Sequence, residues 1–141
     1  MTTIEMAHPT RHTRSTAEGR LRAVLTANAA TSAVAGVAGL VAAGWWSDRR
    51  GSDSPGWVRI VSAGLVLFAL DVLLVARARP AALHRWSAVV SAADLAWVAG
   101  TVAVIAAGGL NGTGVAVAAV VGVGVLDFAA LQLWFRSRMA T

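Results

Sequence analysis

The sequence predicts an all-α membrane protein: an antiparallel, up-down bundle of four transmembrane helices with both termini in the cytoplasm. Of its 141 residues, 57% are hydrophobic and only 13% are charged, whereas a soluble domain carries about 25% charged residues. The apolar residues form four long runs that lack the alternation of a half-buried strand. Each run contains the roughly 20 residues that are needed to cross about 30 Å of hydrocarbon.

The first element is a polar segment, residues 1–21, which is predicted to be a disordered cytoplasmic tail. Ser15 and Glu18 have the spacing of a capping box, so a helix can begin there and continue into the membrane. The first apolar run is longer than the roughly 7–15 residues of a signal-peptide core, so we expect it to remain as a permanent span. The transmembrane domain covers 22–136, with spans at about 23–46, 57–76, 86–107 and 113–135, and residues 137–141 form a cytoplasmic tail.

Short connectors join the four predicted spans. Pro55 is placed to open the second helix, Pro80 interrupts an Arg-rich connector at 77–85, and the sequence Gly-Gly-Leu-Asn-Gly at 108–112 is a turn signal. Connections this short imply antiparallel neighbours. Nine of the twelve arginines flank the side that carries both termini, which predicts that this side is cytoplasmic; they are Arg11, Arg14, Arg20, Arg22, Arg77, Arg79, Arg85, Arg136 and Arg138.

Composition and motifs exclude several functional classes. The net charge is +5, but the arginines flank apolar runs and do not form a patch with aromatic residues, so no nucleic-acid partner is expected. The chain has no cysteine, which excludes disulfides and thiol chemistry. His8 and His12 lie in a proline-containing tail without a third ligand, so no metal site is expected. Catalytic-serine, P-loop and dinucleotide-binding motifs are absent, and no cofactor is predicted.

Three carboxylates, Asp71, Asp94 and Asp127, lie inside the predicted spans. A charged carboxylate near the bilayer centre costs roughly 2.5–3.5 kcal/mol, so such residues are candidates for function. With Asn28, they lie six to nine residues from the flanking arginines, or roughly 9–14 Å deep. We therefore predict one inward-facing polar layer in the cytoplasmic part of the bundle. At least one carboxyl group in such a layer is expected to hold its proton, because burial and like charge both disfavour ionisation.

Helical spacing supports part of this layer. Ser91, Asp94 and Trp97 fall on one stripe of the third span. On the first span, small and polar side chains recur on one face that suits close helix contact; these are Asn28, Ser32, Gly36, Gly39 and Ala43. Gln132 lies about 140° from Asp127 around the fourth span, so it is not expected in the layer.

Three functions are compatible with these residues. The first is acid–base chemistry of the isomerase or cyclase type on a lipophilic substrate. Asp71, Asp94 and Asp127 would be catalytic, and Asn28, Ser91 and Trp97 would bind the substrate. The second is a proton-coupled carrier of lipophilic cations. The third is a non-catalytic accessory subunit whose polar groups join helices. The expected partners are the lipid bilayer, a lipophilic small molecule, and a homo-oligomer or larger membrane complex.

The chain resembles a widespread type of small four-span bacterial membrane protein. The residues that carry the resemblance are Ala27-Asn28-x-x-x-Ser32-x-x-x-Gly36, Gly64, Asp94-x-x-Trp97-Val98 and Phe128-Ala129-x-x-Gln132. The resemblance implies the four-span fold in the plasma (inner) membrane of a bacterium, and it implies no substrate. Asp71 and Asp127 lie outside the pattern. Small multidrug transporters place an essential glutamate in their first span, where this chain has Asn28 and no acid.

Overall fold

Four long helices account for most of the chain. The structure is a computed structural model that describes residues 11–43 and 55–140. All four helices are long and apolar enough to cross a membrane, so the protein is a four-span membrane protein. Their bounds are Arg11–Val41 for α1, Pro55–Arg77 for α2, Pro80–Ala106 for α3 and Gly112–Ala140 for α4.

The helices form an antiparallel bundle in which chain order is also the order around the bundle. α1 packs extensively on α2, α3 on α4 and α1 on α4, whereas α2 and α3 contact each other little. Two arginines connect neighbouring helices at the predicted cytoplasmic end. Arg22 donates from Nη1 to the Ala76 carbonyl, 2.5 Å away, near the end of α2. Arg136 donates from Nε to the His84 carbonyl of α3 at 2.9 Å.

Three helix ends differ from the predicted boundaries. The predicted disordered tail is wrong for residues 11–21, because α1 already begins at Arg11; residues 1–10 lie outside the described part. Ala17 and Leu21 are buried, and their i,i+4 spacing gives this first stretch an apolar side that packs on the bundle. Sequence hydropathy alone misses such a stretch because charged residues surround the two buried ones.

The third and fourth helices are also longer than predicted. α3 begins at Pro80, not near residue 86, because proline is compatible with the first helical position and Arg79 before it is extended (φ −61°, ψ 154°). α4 continues to Ala140, so the residues predicted to form the C-terminal tail are helical up to that residue. Phe135 and Met139 pack against the buried apolar cluster, which extends the helix beyond the membrane span.

The turn between α3 and α4 follows the predicted pattern. Gly108 adopts a left-handed conformation with φ of 70°, which glycine allows without steric cost. Asn111 precedes α4, and its Oδ1 accepts a hydrogen bond from the Gly114 backbone N–H at 2.9 Å. This side chain satisfies one of the free N–H groups at the helix start. α2 begins at Pro55, as predicted.

The small-residue stripe of α1 is the close contact to α2. A Cβ atom added at Gly36 would lie 2.8 Å from both the Ser62 carbonyl oxygen and Val66 Cγ2, and one added at Gly39 would collide with the Ser62 side chain. Ala43 is almost fully buried on the same stripe. The absence of side chains at the two glycines therefore allows α1 and α2 to pack backbone against side chain, which is the way membrane helices associate.

Candidate functional site

A buried hydrogen-bonded cluster lies on the axis of the bundle. Asp94 of α3 accepts two hydrogen bonds at Oδ2: one from Asn28 Nδ2 of α1 at 2.8 Å and one from Gln132 Nε2 of α4 at 3.0 Å. The three side chains are 2%, 1% and 0% exposed, respectively. Because α1 and α3 are diagonal in the bundle, the bond between Asn28 and Asp94 crosses its centre.

Two serines extend this cluster. Ser91 Oγ lies 3.0 Å from Gln132 Oε1 and also 3.0 Å from the Ser87 carbonyl oxygen. Ser32 Oγ lies 3.4 Å from Asn28 Oδ1. We call these five residues, Asn28, Ser32, Ser91, Asp94 and Gln132, the axial network. It joins α1, α3 and α4 and includes no residue of α2.

The predicted layer of three aspartates is not present. Asp94 is buried, but Asp71 of α2 and Asp127 of α4 are exposed on the outside of the bundle. The flanking arginines locate a residue along its helix axis, but they carry no information about the direction in which its side chain points. Equal depth therefore did not imply a shared layer, and the three carboxyl groups do not meet.

The remaining predicted site residues divide between the network and the surface. Asn28 and Ser91 belong to the axial network, as their stripes predicted. Trp97 lies one turn beyond Asp94 but is 37% exposed, and it is not part of the network. Gln132 also belongs to the network, contrary to the prediction: an angle of about 140° from Asp127 does not exclude it, because Asp127 itself faces outward. The sequence signal for Gln132 is the motif Phe128-Ala129-x-x-Gln132, since Ala129 and Gln132 share one helix face and both are fully buried.

A second feature is a lateral groove between α2 and α3, where the two helices contact each other least. Its volume is about 540 Å³, and it is partly open to the outside of the bundle. The Asp71 carboxylate is the only charged group in its lining, which is otherwise apolar and includes two aromatic rings. The lining residues are Phe68, Asp71, Leu74, Val75 and Ala78 of α2, and Ala82, Trp86, Val89, Val90 and Ala93 of α3.

Arginines surround the end of this groove that is predicted to be cytoplasmic. Arg77 and Arg79 belong to the α2–α3 connection, Arg85 lies next to Trp86, and all three are exposed. The Arg85 guanidinium lies 5.0 Å from the centre of the Trp86 ring and thus covers part of this aromatic residue. The groove therefore combines a positively charged end with a negative charge further inside.

The described residues contain no group of three or more metal-binding side chains, and His8 and His12 lie outside them. Comparison with known proteins finds no relative, since no protein-family model, curated protein or solved structure matches the chain. The class of the protein is therefore defined by its fold and its site alone. It is a four-span membrane protein with a buried polar network on its axis and one acidic side chain in a lateral, otherwise apolar groove.

Proposed function

We propose that the protein binds lipophilic cations in the lateral groove between α2 and α3, and that it acts as a small carrier for such compounds. The observation that carries this proposal is the environment of Asp71. Its carboxylate lines the groove, and it has no hydrogen-bond or ion-pair partner in the described part of the chain. A charge left without a partner at membrane depth is available to a ligand.

The size and lining of the groove suit a small apolar ligand. A volume of about 540 Å³ lies within the roughly 300–1,000 Å³ that ligand sites usually occupy. Such sites are mostly apolar and contain a few polar groups that orient the ligand. Here Asp71 is that group, and the ring of Phe68 can contact a cation through its face.

The energetics favour a cation over a neutral ligand. An ionised carboxylate facing hydrocarbon costs roughly 2.5–3.5 kcal/mol. A bound cation offsets this cost, because the attraction between opposite charges is several times stronger in a low-dielectric medium than in water. Coupling of transport to a proton gradient is part of the proposal, and Asp71, as the charged group in the groove lining, is the residue on which such coupling would depend.

The arginines at the cytoplasmic end indicate the route of entry. Arg77, Arg79 and Arg85 repel a cation that approaches the groove from the cytoplasm. The open side of the groove faces the lipid, where a lipophilic cation concentrates. We therefore propose entry from within the bilayer, which we take to be the plasma membrane of a bacterium.

The acid–base hypothesis has less support. It depended on Asp71, Asp94 and Asp127 acting side by side, and these carboxyl groups point in different directions. Asp94 is 2% exposed and accepts hydrogen bonds from two amides, so it offers a substrate little access. The axial network is better understood as the framework that holds α1, α3 and α4 together beside the groove.

Binding of tetraphenylphosphonium, a lipophilic cation, to the purified protein in lipid nanodiscs tests the proposal. We expect Asp71→Asn to weaken binding at least tenfold, or about 1.4 kcal/mol. Asp127→Asn is the matched control, because it removes another exposed intramembrane carboxylate that lies outside the groove, and it should bind as the wild type does. Unchanged binding by Asp71→Asn, or equal weakening in both variants, would exclude the groove as the site.

Transport is tested separately in proteoliposomes with an imposed pH gradient. The wild type and Asp127→Asn are expected to move the cation in response to the gradient, whereas Asp71→Asn is not. If the cation binds but does not move in response to the gradient, the protein binds lipophilic cations without transporting them. That result would contradict the proposed carrier function.

A further inference from the structure

Asp127 points directly away from the bundle. On the same helix, Ala129 and Gln132 are fully buried, while Asp127 is exposed. At roughly 100° per residue, Asp127 lies about 160° and 140° from these two residues around the helix. No described residue pairs with its carboxylate. Within the described part of a single chain, therefore, nothing offsets the cost of this acid at membrane depth.

Asp127 lies in the middle of a regular stripe on the outside of α4. The stripe consists of Val120, Gly124, Asp127, Leu131 and Trp134, and we call it the outer face of α4. Its intervals of 4, 3, 4 and 3 residues are those of a seam between two packed helices. Val120 and Leu131 are 75% and 44% exposed, so their apolar side chains are free to pack on another helix. Trp134 is 56% exposed, and the Arg138 guanidinium lies 4.8 Å from the centre of its ring.

Gly124 strengthens this interpretation. A Cβ atom added there would meet no other atom within 4 Å, so no contact inside the chain requires glycine at this position. Small residues on an exposed membrane face allow the backbone of a second helix to approach closely. Gly124 lies one helical turn from Asp127 and would bring a partner within reach of the carboxyl group.

We infer that the outer face of α4 is the interface between two copies of this chain, related by a twofold axis that passes close to Asp127. A twofold axis places a residue opposite its own copy. Two carboxyl groups that share one proton are joined by a hydrogen bond, so two Asp127 side chains can pair with each other across the axis. Pairing removes both acids from contact with lipid without requiring a basic residue from a different protein.

The dimer is independent of cation binding. The outer face of α4 lies on the far side of this helix from the bundle, whereas the groove opens between α2 and α3. Both grooves of the dimer remain open to lipid. Loss of the dimer and loss of cation binding are therefore separate results.

Single cysteines test the interface, since the chain has none of its own. Leu131 and Leu133 are 44% and 42% exposed on the same helix, but only Leu131 belongs to the outer face of α4. In liposomes under mild oxidation, we expect Leu131→Cys to form a disulfide-linked dimer and Leu133→Cys to remain monomeric. Equal cross-linking at both positions, or none at Leu131→Cys, would overturn the inference.

Energy transfer between labelled copies in liposomes measures the role of the carboxyl group. We expect Asp127→Leu to raise the dissociation constant of the dimer about tenfold. Asp127→Asn retains a self-complementary donor and acceptor and should dimerise as the wild type does. Asp71→Leu is a matched control outside the interface, expected to leave the dimer unchanged. Wild-type dimerisation by Asp127→Leu, or equal loss in Asp71→Leu, would contradict the inference.

Discussion

Replacing Asp94 by leucine should destabilise the protein, because it removes the acceptor of two buried hydrogen bonds. Asn28 and Gln132 both donate to Asp94 Oδ2, at 2.8 and 3.0 Å. An interhelical hydrogen bond in a membrane bundle contributes about 0.6–2 kcal/mol, and a buried donor without a partner costs about 1–3 kcal/mol. For two donors, the expected loss in the free energy of unfolding is about 2–4 kcal/mol.

Asp94→Asn separates the role of the acceptor from that of the charge. Both amides bond to the same oxygen, so the single side-chain oxygen of asparagine can replace it and accept both bonds. We expect a loss of about 1–2 kcal/mol, smaller than in Asp94→Leu, since both donors keep their partner and only the new amide NH2 group is left buried without a described acceptor. The free energy of unfolding of both variants is measured by adding a denaturing detergent to mixed micelles and monitoring the loss of helicity.

Asp71→Leu is the control for this series, since it makes the same replacement at an exposed carboxylate without a described partner, and it should not destabilise the protein. Wild-type stability of Asp94→Leu would refute the framework role of the axial network. An equal loss in Asp94→Asn and Asp94→Leu would show that the carboxylate charge, and not the acceptor position, holds the helices together.

Two further predictions concern local structure. Gly36→Ala should destabilise the bundle by about 1–3 kcal/mol in the same unfolding assay, because its methyl group would overlap Ser62 and Val66. Gly64→Ala, where an added Cβ meets nothing within 4 Å, should not; similar losses in both would contradict a specific α1–α2 contact. Asn111→Ala should cost about 1 kcal/mol through loss of its bond to the Gly114 N–H, while Asn111→Asp should preserve stability, and equal stability of both variants would contradict the capping role.

The sequence predicted the four spans well because the hydropathy that identifies a span is averaged over all of its residues and does not depend on any single one. Each span needs only about 20 apolar residues, and Pro55 and the turn at 108–112 mark helix boundaries through local backbone chemistry. The close contact through Gly36 and Gly39 was also predictable, since it depends on residue size at a helical spacing.

The direction of each polar side chain was harder to predict. A helix that is apolar on all sides gives little indication of which side faces its neighbours, and so Asp71 and Asp127 were placed inside the bundle. Gln132 was misplaced for the same reason. The groove depends on the distance between α2 and α3. This distance is set by the packing of all four helices, and no local sequence pattern predicts it.

The preference of the groove for a charged ligand tests the proposed role of Asp71 most directly. If this carboxylate holds the cation, the wild-type protein should bind tetraphenylphosphonium at least about tenfold more tightly than neutral tetraphenylsilane, which has nearly the same shape. Asp71→Asn should lose this preference, whereas Asp127→Asn should keep it. The same preference in Asp71→Asn as in the wild type would contradict the account.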